Sequence, residues 1–287
     1  MSDAYCIWIV TPPGYAHAAA FHEVAIGLQD GFRELGMRVP VVQDRARIRS
    51  RAIVLGANLL PDMPGVKPPG KSILFNLEQI TPGSEWLTTD YLKLLKRHPV
   101  WDYSRYNIEQ LEKLGISNIT HCPIGFSDVL QRIAPAPDQD IDVLFYGSIN
   151  ARRLAILEAL VRAGLQVETL FGVYGEQRDA VIARSKLVLN IHYYPAKIFE
   201  IVRISWLLAN AVCVVSEDSP LDSALESVQD GIVQAPYDRL VETCREMIDD
   251  GTWTPMARRG LEVFRENRQA DFLQAALGLN RDSRLRA

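Results

Sequence analysis

The chain has 287 residues, of which 48% are hydrophobic and 23% charged, and its formal net charge is -4. This length exceeds the usual size of one compact core, so we expect two domains or one large α/β unit. The slightly acidic balance argues against a partner that is bound through its phosphates, so no nucleic acid is expected.

Strand-like apolar runs alternate with amphipathic stretches through the first half of the chain. The predicted strands are YCIWIV, VPVVQD, AIVLG, SILFNLEQ, VWDYS and ITHCPIG. Helices are predicted over about residues 18–35, near Tyr91 and over 106–114. Such alternation is typical of a parallel sheet with helices on both faces.

Residues 133–142, IAPAPDQDID, interrupt this pattern with two prolines and three aspartates, which indicate a linker. The alternation then resumes. Strands are predicted at DVLFYG, VETLFG, LVLNIHY, AVCVVSE and GIVQAPY, and helices over 152–163, 176–186, 198–209, from about 238, and over about 254–277.

The sequence therefore predicts an α/β protein with two tandem Rossmann-like, doubly wound parallel-sheet domains. We expect an N-terminal domain over 1–132 and a C-terminal domain over 138–260, with a helix at about 262–280 that packs back on the first domain. A cleft between the domains is the default ligand site, because open parallel sheets bind ligands at the carboxyl ends of their strands.

The N-terminus lacks the pattern of a signal peptide, and no apolar run approaches the roughly 18 residues that span a bilayer. We therefore expect a cytoplasmic protein without a transmembrane segment. The single, scattered cysteines are expected to be small buried core residues rather than a disulfide framework or a metal site: Cys6, Cys122, Cys213 and Cys244.

A charged pair, Glu200 and Arg203, lies between the apolar runs LVLNI and AVCVV. The two residues are three apart on a predicted helix, so they share a face at the carboxyl edge of the sheet. A local ion pair near the helix N-terminus is the simpler explanation. The loop NIHYYPAK before them favours a binding site, because it concentrates hydrogen-bonding side chains: Asn190, His192, Tyr193, Tyr194 and Lys197. His192 alone is explained equally well as a structural histidine near the core.

Two other strand ends in the second half have the features of a binding loop. In YGSINARR, the backbone after Gly147, the Ser148 hydroxyl and Arg152 or Arg153 are placed to bind an anion, unless one arginine only covers a solvated helix face. The motif is neither G-x-G-x-x-G nor a P-loop. In FGVYG, two glycines flank an aromatic residue, Gly172 and Gly175 around Tyr174, and allow close backbone approach to a flat ligand, although an ordinary glycine turn explains them equally well.

The first half offers two candidate general bases. Gly14 permits a tight turn after the first strand, and His17 follows it near a helix start. Glu78 in NLEQ follows another strand and is a rival base or an acceptor ligand. WDYS, at residues 101–104, supplies aromatic and hydroxyl groups suited to stacking on sugar rings, unless Trp101 belongs to the core.

Taken together, these segments resemble GT-B glycosyltransferases, and most closely the group 1 and spore-maturation-type bacterial enzymes. The stretch from DVLFYGS to APYDRLV is similar to their nucleotide-sugar-binding domain, and ITHCPIGFSDVL is similar to their crossing between domains. The resemblance implies that Glu200 holds the ribose hydroxyls of the donor and that Arg152 or Arg153 binds its diphosphate. FGVYG would lie beside the base, and NIHYY beside the phosphates and sugar.

The chain also departs from the family. Retaining group 1 enzymes carry a second glutamate eight positions after the first, whereas Leu208 stands there in this chain. The acidic run DQDID precedes a strand, so it does not match a metal-binding D-x-D motif. We therefore expect a metal-independent transferase without a cofactor, which moves a sugar from a nucleoside-diphosphate sugar to a glycan, lipid-linked or small-molecule acceptor.

For an inverting reaction, His17 is the first candidate base and Glu78 the second, while Arg152, Arg153 and Lys197 steady the leaving group. Two alternatives stay open. One is a non-catalytic module that binds a sugar nucleotide or a partner with the same fold. The other is a nucleotide-sugar epimerase, which would release an altered nucleotide sugar and need no acceptor.

Overall fold

The computed structural model of the chain describes residues 4–81, 84–194, 196–220 and 223–279. The chain divides into two units. Unit 1 comprises Met1–Val129 and Arg268–Ala287, and unit 2 comprises Leu130–Asn267. Each unit is built around its own parallel sheet with intervening helices, so the predicted α/β class is confirmed.

Unit 1 contains a six-stranded sheet in the order β2-β1-β3-β4-β5-β6, in which every strand pair is parallel. Its strands are β1 (Tyr5–Ile9), β2 (Val41–Val42), β3 (Arg51–Leu55), β4 (Ile73–Asn76), β5 (Val100–Asp102) and β6 (Ile119–His121). The helices are α1 (His22–Glu34), α2 (Thr89–Arg97) and α3 (Arg105–Lys113), with 3₁₀ helices at Ala16–Phe21, Arg45–Arg47 and Ala57–Asp62. The strands are apolar because helices cover both faces of the sheet.

Unit 2 contains a five-stranded parallel sheet in the order β11-β10-β9-β7-β8. Its strands are β7 (Ile141–Tyr146), β8 (Val167–Leu170), β9 (Ser185–Asn190), β10 (Cys213–Glu217) and β11 (Val233–Ala235). The helices are α4 (Ala151–Arg162), α5 (Gly175–Ala183), α6 (Ile201–Ala209), α7 (Ser223–Glu226), α8 (Leu240–Asp250) and α9 (Trp253–Arg265). The order reverses direction between β7 and β9, which is the topological switch point of this sheet.

A last helix, α10 (Gln269–Ala276), belongs to unit 1. It packs on α1 so closely that a Cβ added to Gly31 would lie 2.9 Å from the Leu273 side chain. The Gly125 N–H donates to Gln269 Oε1 at 2.8 Å, which ties the same helix to the chain after β6. Residue 280, the last of the helix expected over 262–280, lies outside the described residues.

The structure corrects several predicted boundaries. The continuous helix expected over 254–277 is wrong, because α9 ends at Arg265 and α10 begins at Gln269. The helix expected over 176–186 ends at Ala183, since β9 already begins at Ser185. The last two residues of the expected linker 133–142 start β7.

The prediction that the cysteines are buried core residues is confirmed for all four. In the described parts of the chain, no helix combines the length and the apolar character needed to cross a membrane.

Candidate functional site

The switch point of unit 2 brings together the loops that follow β7 and β9. Gly147 directly follows β7 with φ of 136°, a backbone conformation that favours glycine, and a Cβ there would lie 3.2 Å from Arg203 Nη1. Ser148 next to it is exposed, and Asn150 caps α4 by accepting from the Arg153 N–H at 2.9 Å. This strand end therefore presents a glycine turn and a helix N-terminus at the carboxyl edge of the sheet.

Glu200 lies at this edge as the N-cap residue of α6. Its carboxylate is paired with Arg203 from the next turn, and with Arg153 at 3.4 Å. The Glu200 and Arg203 side chains are 17% and 20% exposed, so the pair is neither in the core nor freely solvated. The expectation that the two residues share a helix face is confirmed. The charged pair can occur between buried strands because it lies in the connection from β9 to α6, at the carboxyl edge of the sheet, which we call the rim.

Arg153 and Arg203 connect the loops of this edge through hydrogen bonds to backbone carbonyls. The Arg153 side chain is 4% exposed and donates to Ile191 O at 2.9 Å and to Ser148 O at 2.8 Å, so it links the loops after β9 and β7. Arg203 donates to Tyr146 O at 2.6 Å and also to Asn190. Burial, and then the charge of Arg203, lower the pKa of Arg153 to about 10, which leaves it charged at neutral pH.

Glu217, which the sequence analysis missed, organises the other side of the rim. It ends β10 and is fully buried, yet its carboxylate accepts two hydrogen bonds from Arg152, one of them at 2.6 Å. Lys197 Nζ lies 2.8 Å from Glu217 Oε1. The His192 backbone N–H donates to Glu217 Oε2 at 3.2 Å. Burial alone would raise the pKa of Glu217, but the hydrogen bonds from Arg152 and Lys197 outweigh it and lower the pKa to about 2.

The two cations on Glu217 remain accessible. The side chains of Arg152 and Lys197 are 33% and 39% exposed. The Arg152 guanidinium also stacks 4.0 Å from the ring centroid of Tyr237. Lys197 has φ of 50°, so its backbone adopts a left-handed conformation that is unusual for a residue other than glycine. The buried carboxylate therefore holds two positive charges in fixed places at the surface.

His192 and Asn190 lie inside the rim rather than on its surface. Asn190 is 1% exposed and donates to Ser216 Oγ at 3.0 Å. His192 is 2% exposed, and its Nε2 lies 3.2 Å from Glu217 O and 2.9 Å from Ser219 Oγ. Burial lowers the pKa of His192, so its imidazole is neutral at neutral pH. Both side chains brace the loops that carry the exposed groups.

The remaining residues expected in unit 2 also follow strand ends. Gly172 has φ of 69° after β8, and Tyr174 is the half-buried N-cap residue of α5. Phe171 beside them is 62% exposed. Tyr193 is 41% exposed and covers the Arg153 guanidinium at 5.1 Å.

In unit 1, Gly14 and His17 lie between β1 and α1. Gly14 has φ of 74° in a turn, and His17 is half-buried in the 3₁₀ helix Ala16–Phe21 with its ring edge-to-face on Tyr15 at 5.3 Å. The structure places both residues after the carboxyl end of β1, as the sequence suggested.

Glu78 lies two residues after β4 and is partly exposed. Asn58 Nδ2 donates to its Oε1 at 3.1 Å, while Asn76 and Asn107 each donate to its backbone carbonyl at 2.9 Å. Burial raises the pKa of Glu78 to about 7, and the hydrogen bond from Asn58 only partly offsets this. A carboxyl group with such a pKa exchanges a proton near neutral pH.

Asp102, which ends β5, shares two amide donors, Asn76 and Asn107, with the backbone carbonyl of Glu78. It is fully buried and accepts from Asn76 Nδ2 at 2.6 Å, the Ser104 N–H at 2.9 Å and Asn107 Nδ2 at 3.1 Å. Burial raises its pKa to about 7 despite these donors. The expectation that WDYS offers aromatic groups to a ligand is wrong, because Trp101 and Tyr103 are 3% and 2% exposed and belong to the core.

Leu208, at the position where retaining group 1 enzymes carry a second glutamate, is fully buried. Within the described parts of the chain, no group of three or more histidine, cysteine, aspartate or glutamate side chains is arranged to hold a metal ion.

Comparison with known proteins identifies distant relatives by sequence. No protein-family model matches the chain. The uncharacterized protein L140 of Acanthamoeba polyphaga mimivirus is 30% identical over 187 residues, which cover 62% of this chain and 59% of that protein. The uncharacterized protein R358 of the same virus is 29% identical over 188 residues, or 63% of each. The chain spans less than two thirds of the length of these curated relatives.

Solved structures share the whole two-sheet architecture. The Anabaena protein HepE, in complex with UDP and glucose, matches with a TM-score of 0.61 at 12% identity over 96% of this chain and all of that one. Sucrose-phosphate synthase from Thermosynechococcus elongatus matches with a TM-score of 0.59 at 11% identity over 98% of each chain. The chain therefore has the GT-B fold of these glycosyltransferases.

Proposed function

We propose that the chain is a glycosyltransferase that binds a nucleoside-diphosphate sugar at the carboxyl edge of the unit 2 sheet. The observation that carries the proposal is Glu200, a partly exposed carboxylate held by Arg153 and Arg203 at the switch point between β7 and β9. Two features of known structures support it: the fold is that of glycosyltransferases, and HepE is described in complex with UDP and with UDP-glucose.

In this proposal, Glu200 binds the ribose of the donor. A carboxylate whose orientation is fixed by two guanidinium groups accepts hydrogen bonds from two neighbouring hydroxyls without reorganising. The loop at Ser148 and the accessible cations Arg152 and Lys197 bind the diphosphate. As the sugar leaves, charge accumulates on the diphosphate, and cations held by Glu217 stabilise that charge without a metal ion.

Arg153 then has a different role from the one suggested by the sequence. Each of its three guanidinium nitrogens already contacts a carbonyl or carboxylate oxygen of the protein. We assign the diphosphate to Arg152 and Lys197 and give Arg153 the role of positioning Glu200.

For the acceptor, we propose that Glu78 is the base. It combines partial exposure with a pKa raised to about 7, so its carboxylate form both exists at neutral pH and is basic enough to take a proton from a hydroxyl group. His17 is the alternative base. The absence of an acid at Leu208 favours an inverting reaction over the retaining mechanism of group 1 enzymes.

Binding of the donor can be tested with Glu200→Gln, which keeps the shape and one acceptor oxygen but removes the charge. We expect uridine, guanosine or adenosine diphosphate to raise the melting temperature of the wild-type protein, because a ligand selective for the native state stabilises it. For the diphosphate that binds, Glu200→Gln should raise Kd by about 10- to 100-fold, which corresponds to the loss of a charged hydrogen bond of ~1.5–3 kcal/mol.

The same variant has an internal control. A 2′,3′-dideoxy form of that diphosphate has no ribose hydroxyls, so it should bind wild type and Glu200→Gln with equal affinity. The matched control Glu246→Gln changes an exposed residue of α8 and should leave both Kd values unchanged. Equal affinity of wild type and Glu200→Gln for the intact diphosphate would refute the assignment.

A further inference from the structure

A second concave site lies in unit 1, between one face of α1 and the edge strand β2. The cavity has a volume of about 570 Å³ and an open mouth, which is in the size range of small-molecule sites. Its lining comes from one face of α1 and from β2 with the turn that follows: His22, Ala25, Ile26, Gln29, Val41, Val42, Gln43, Asp44 and Arg47.

The walls combine an apolar floor with a rim of hydrogen-bonding groups. Ala25, Ile26, Val41 and Val42 supply the apolar part. Because β2 is the outermost strand of its sheet, one side of its backbone has no neighbouring strand. Apolar surface beside a few convergent polar groups is the usual composition of a site for a small organic ligand.

The polar groups at the mouth belong to the turn after β2. Asp44 is held in place because its Oδ1 accepts from the Ala46 N–H at 2.8 Å, as the N-cap of the 3₁₀ helix Arg45–Arg47. Arg47, on the same turn, is exposed, and no ion pair joins it to any described residue. The turn after β2 thus contributes one carboxylate and one guanidinium to the lining of the cavity.

The α1 wall adds amide and imidazole groups. Gln29 donates to Val39 O at 2.8 Å, which fixes its side chain and leaves its amide oxygen as an acceptor. His22 is exposed at the start of α1. The lining therefore contains both hydrogen-bond donors and acceptors, and the opposite charges of Asp44 and Arg47 balance.

We infer that this cavity binds a neutral saccharide. Each sugar hydroxyl both donates and accepts a hydrogen bond, so a cavity lined by both a carboxylate and a guanidinium can accept from one hydroxyl and donate to another. The C–H face of the ring would lie on Ile26 and Val41. The balanced charge favours a neutral sugar over an acidic one. That this saccharide is part of the acceptor rests on the proposed function. That a saccharide binds to unit 1 is independent of it.

The test is a titration of the full chain, labelled at the isoleucine and valine methyl groups, with cellobiose, maltose and lactose, followed by NMR. At least one disaccharide should shift the Ile26, Val41 and Val42 methyl signals in a saturable way, while glycerol at the same concentration should not. Asp44→Asn preserves the helix cap, because asparagine is also a good N-cap residue, yet it removes the charge. We expect it and Arg47→Met each to weaken binding at least fivefold.

Arg49→Met is the matched control, because Arg49 is exposed on the same segment but bonds to Ile48 O at 3.1 Å and does not line the cavity. It should bind like wild type. The inference fails if none of the disaccharides shifts these signals, if the shifts appear only at unit 2 methyls such as Val188 and Val215, or if Asp44→Asn binds normally. Parallel titrations with uridine, guanosine and adenosine diphosphate report on unit 2, so failure of the donor site and failure of this cavity are distinguishable.

Discussion

Two fully buried carboxylates occupy equivalent places in the two units, since each ends a strand at the carboxyl edge of its sheet. Glu217 at the end of β10 has a pKa lowered to about 2, and Asp102 at the end of β5 has a pKa raised to about 7. Burial pushes both pKa values upward, and only at Glu217 do the partners outweigh it. Glu217 meets a guanidinium and an ammonium group, whereas Asp102 meets neutral amides.

The contrast shows how one architecture produces two kinds of rim. In unit 2, a permanently ionised carboxylate fixes cations at the surface, which suits an anionic ligand. In unit 1, amide groups hold Glu78 and Asp102 without neutralising them, so both carboxyl groups change protonation near neutral pH. The first arrangement suits the stabilisation of negative charge on a ligand, and the second suits proton transfer.

The largest expected effect is on catalysis through Glu78. If it is the base, Glu78→Gln should lower the rate of transfer from the bound donor by about 10²- to 10⁴-fold while donor affinity is unchanged. In the wild type, kcat/KM should rise with pH through about 7 and then level off, because the carboxylate is the active form. Release of nucleoside diphosphate from the donor sugar measures both.

Two variants complete this experiment. Glu112→Gln, at an exposed site on α3, should behave as wild type. His17→Ala should retain activity; if it loses activity and Glu78→Gln does not, the histidine is the base. A wild-type protein that binds the donor but never releases its sugar would instead favour the non-catalytic alternative.

The raised pKa of Asp102 should make the free energy of unfolding depend on pH. Between about pH 4 and 7, folded Asp102 keeps a proton that the unfolded chain has released, so the free energy of unfolding falls as pH rises. One such group contributes about 1.4 kcal/mol per pH unit, or roughly 4 kcal/mol over the whole interval. Asp102→Asn should flatten the slope by that amount, as measured by urea unfolding between pH 5 and 8.

Only the slope is diagnostic in this case, because an amide at position 102 also disturbs the hydrogen bonds from Asn76 and Asn107 at every pH. Asp90→Asn is the control: its side chain is 68% exposed on α2, and the slope should not change. An unaltered slope in Asp102→Asn would show that Asp102 is ionised in the folded protein and would remove the contrast with Glu217.

Much of the fold follows from local pattern. The strands were recognisable because a parallel sheet covered on both faces needs continuous apolar runs. The pairing of Glu200 with Arg203 follows from their spacing of three on a helix. The rule that polar residues after such strands reach the rim also placed Glu78 correctly after β4.

The role of Glu217 could not be predicted in the same way. Its partner Arg152 is 65 residues away in sequence, and β9 lies between their strands. That contact depends on the strand order, which local pattern does not specify. The residue itself was within reach, since VVSE places an acid at the end of a buried strand. The prediction that the aromatic residues of WDYS contact a ligand was wrong for a different reason. Trp101 and Tyr103 are both buried, so neither ring is exposed to a ligand.

The smallest of these effects is expected for the ion pair on Glu217. Arg152→Met removes two hydrogen bonds to Glu217 and leaves this buried carboxylate with Lys197 as its one cationic partner among the described residues. Loss of a fully buried partner costs about 3–5 kcal/mol. Because Arg152 is one third exposed and solvent screens it, we expect about 2–3 kcal/mol at pH 7.

The pH dependence of this loss has the opposite sign to that of Asp102. Since the folded pKa of Glu217 lies below its unfolded value, its stabilising effect is complete above about pH 5 and is lost as pH falls toward 2. The difference between wild type and Arg152→Met should therefore shrink between pH 5 and 3 in urea unfolding. Arg162→Met on the same helix removes only an exposed pair with Glu158 and should cost no more than about 0.5 kcal/mol. A constant difference down to pH 3 would mean that Arg152 contributes by packing on Tyr237 rather than by charge.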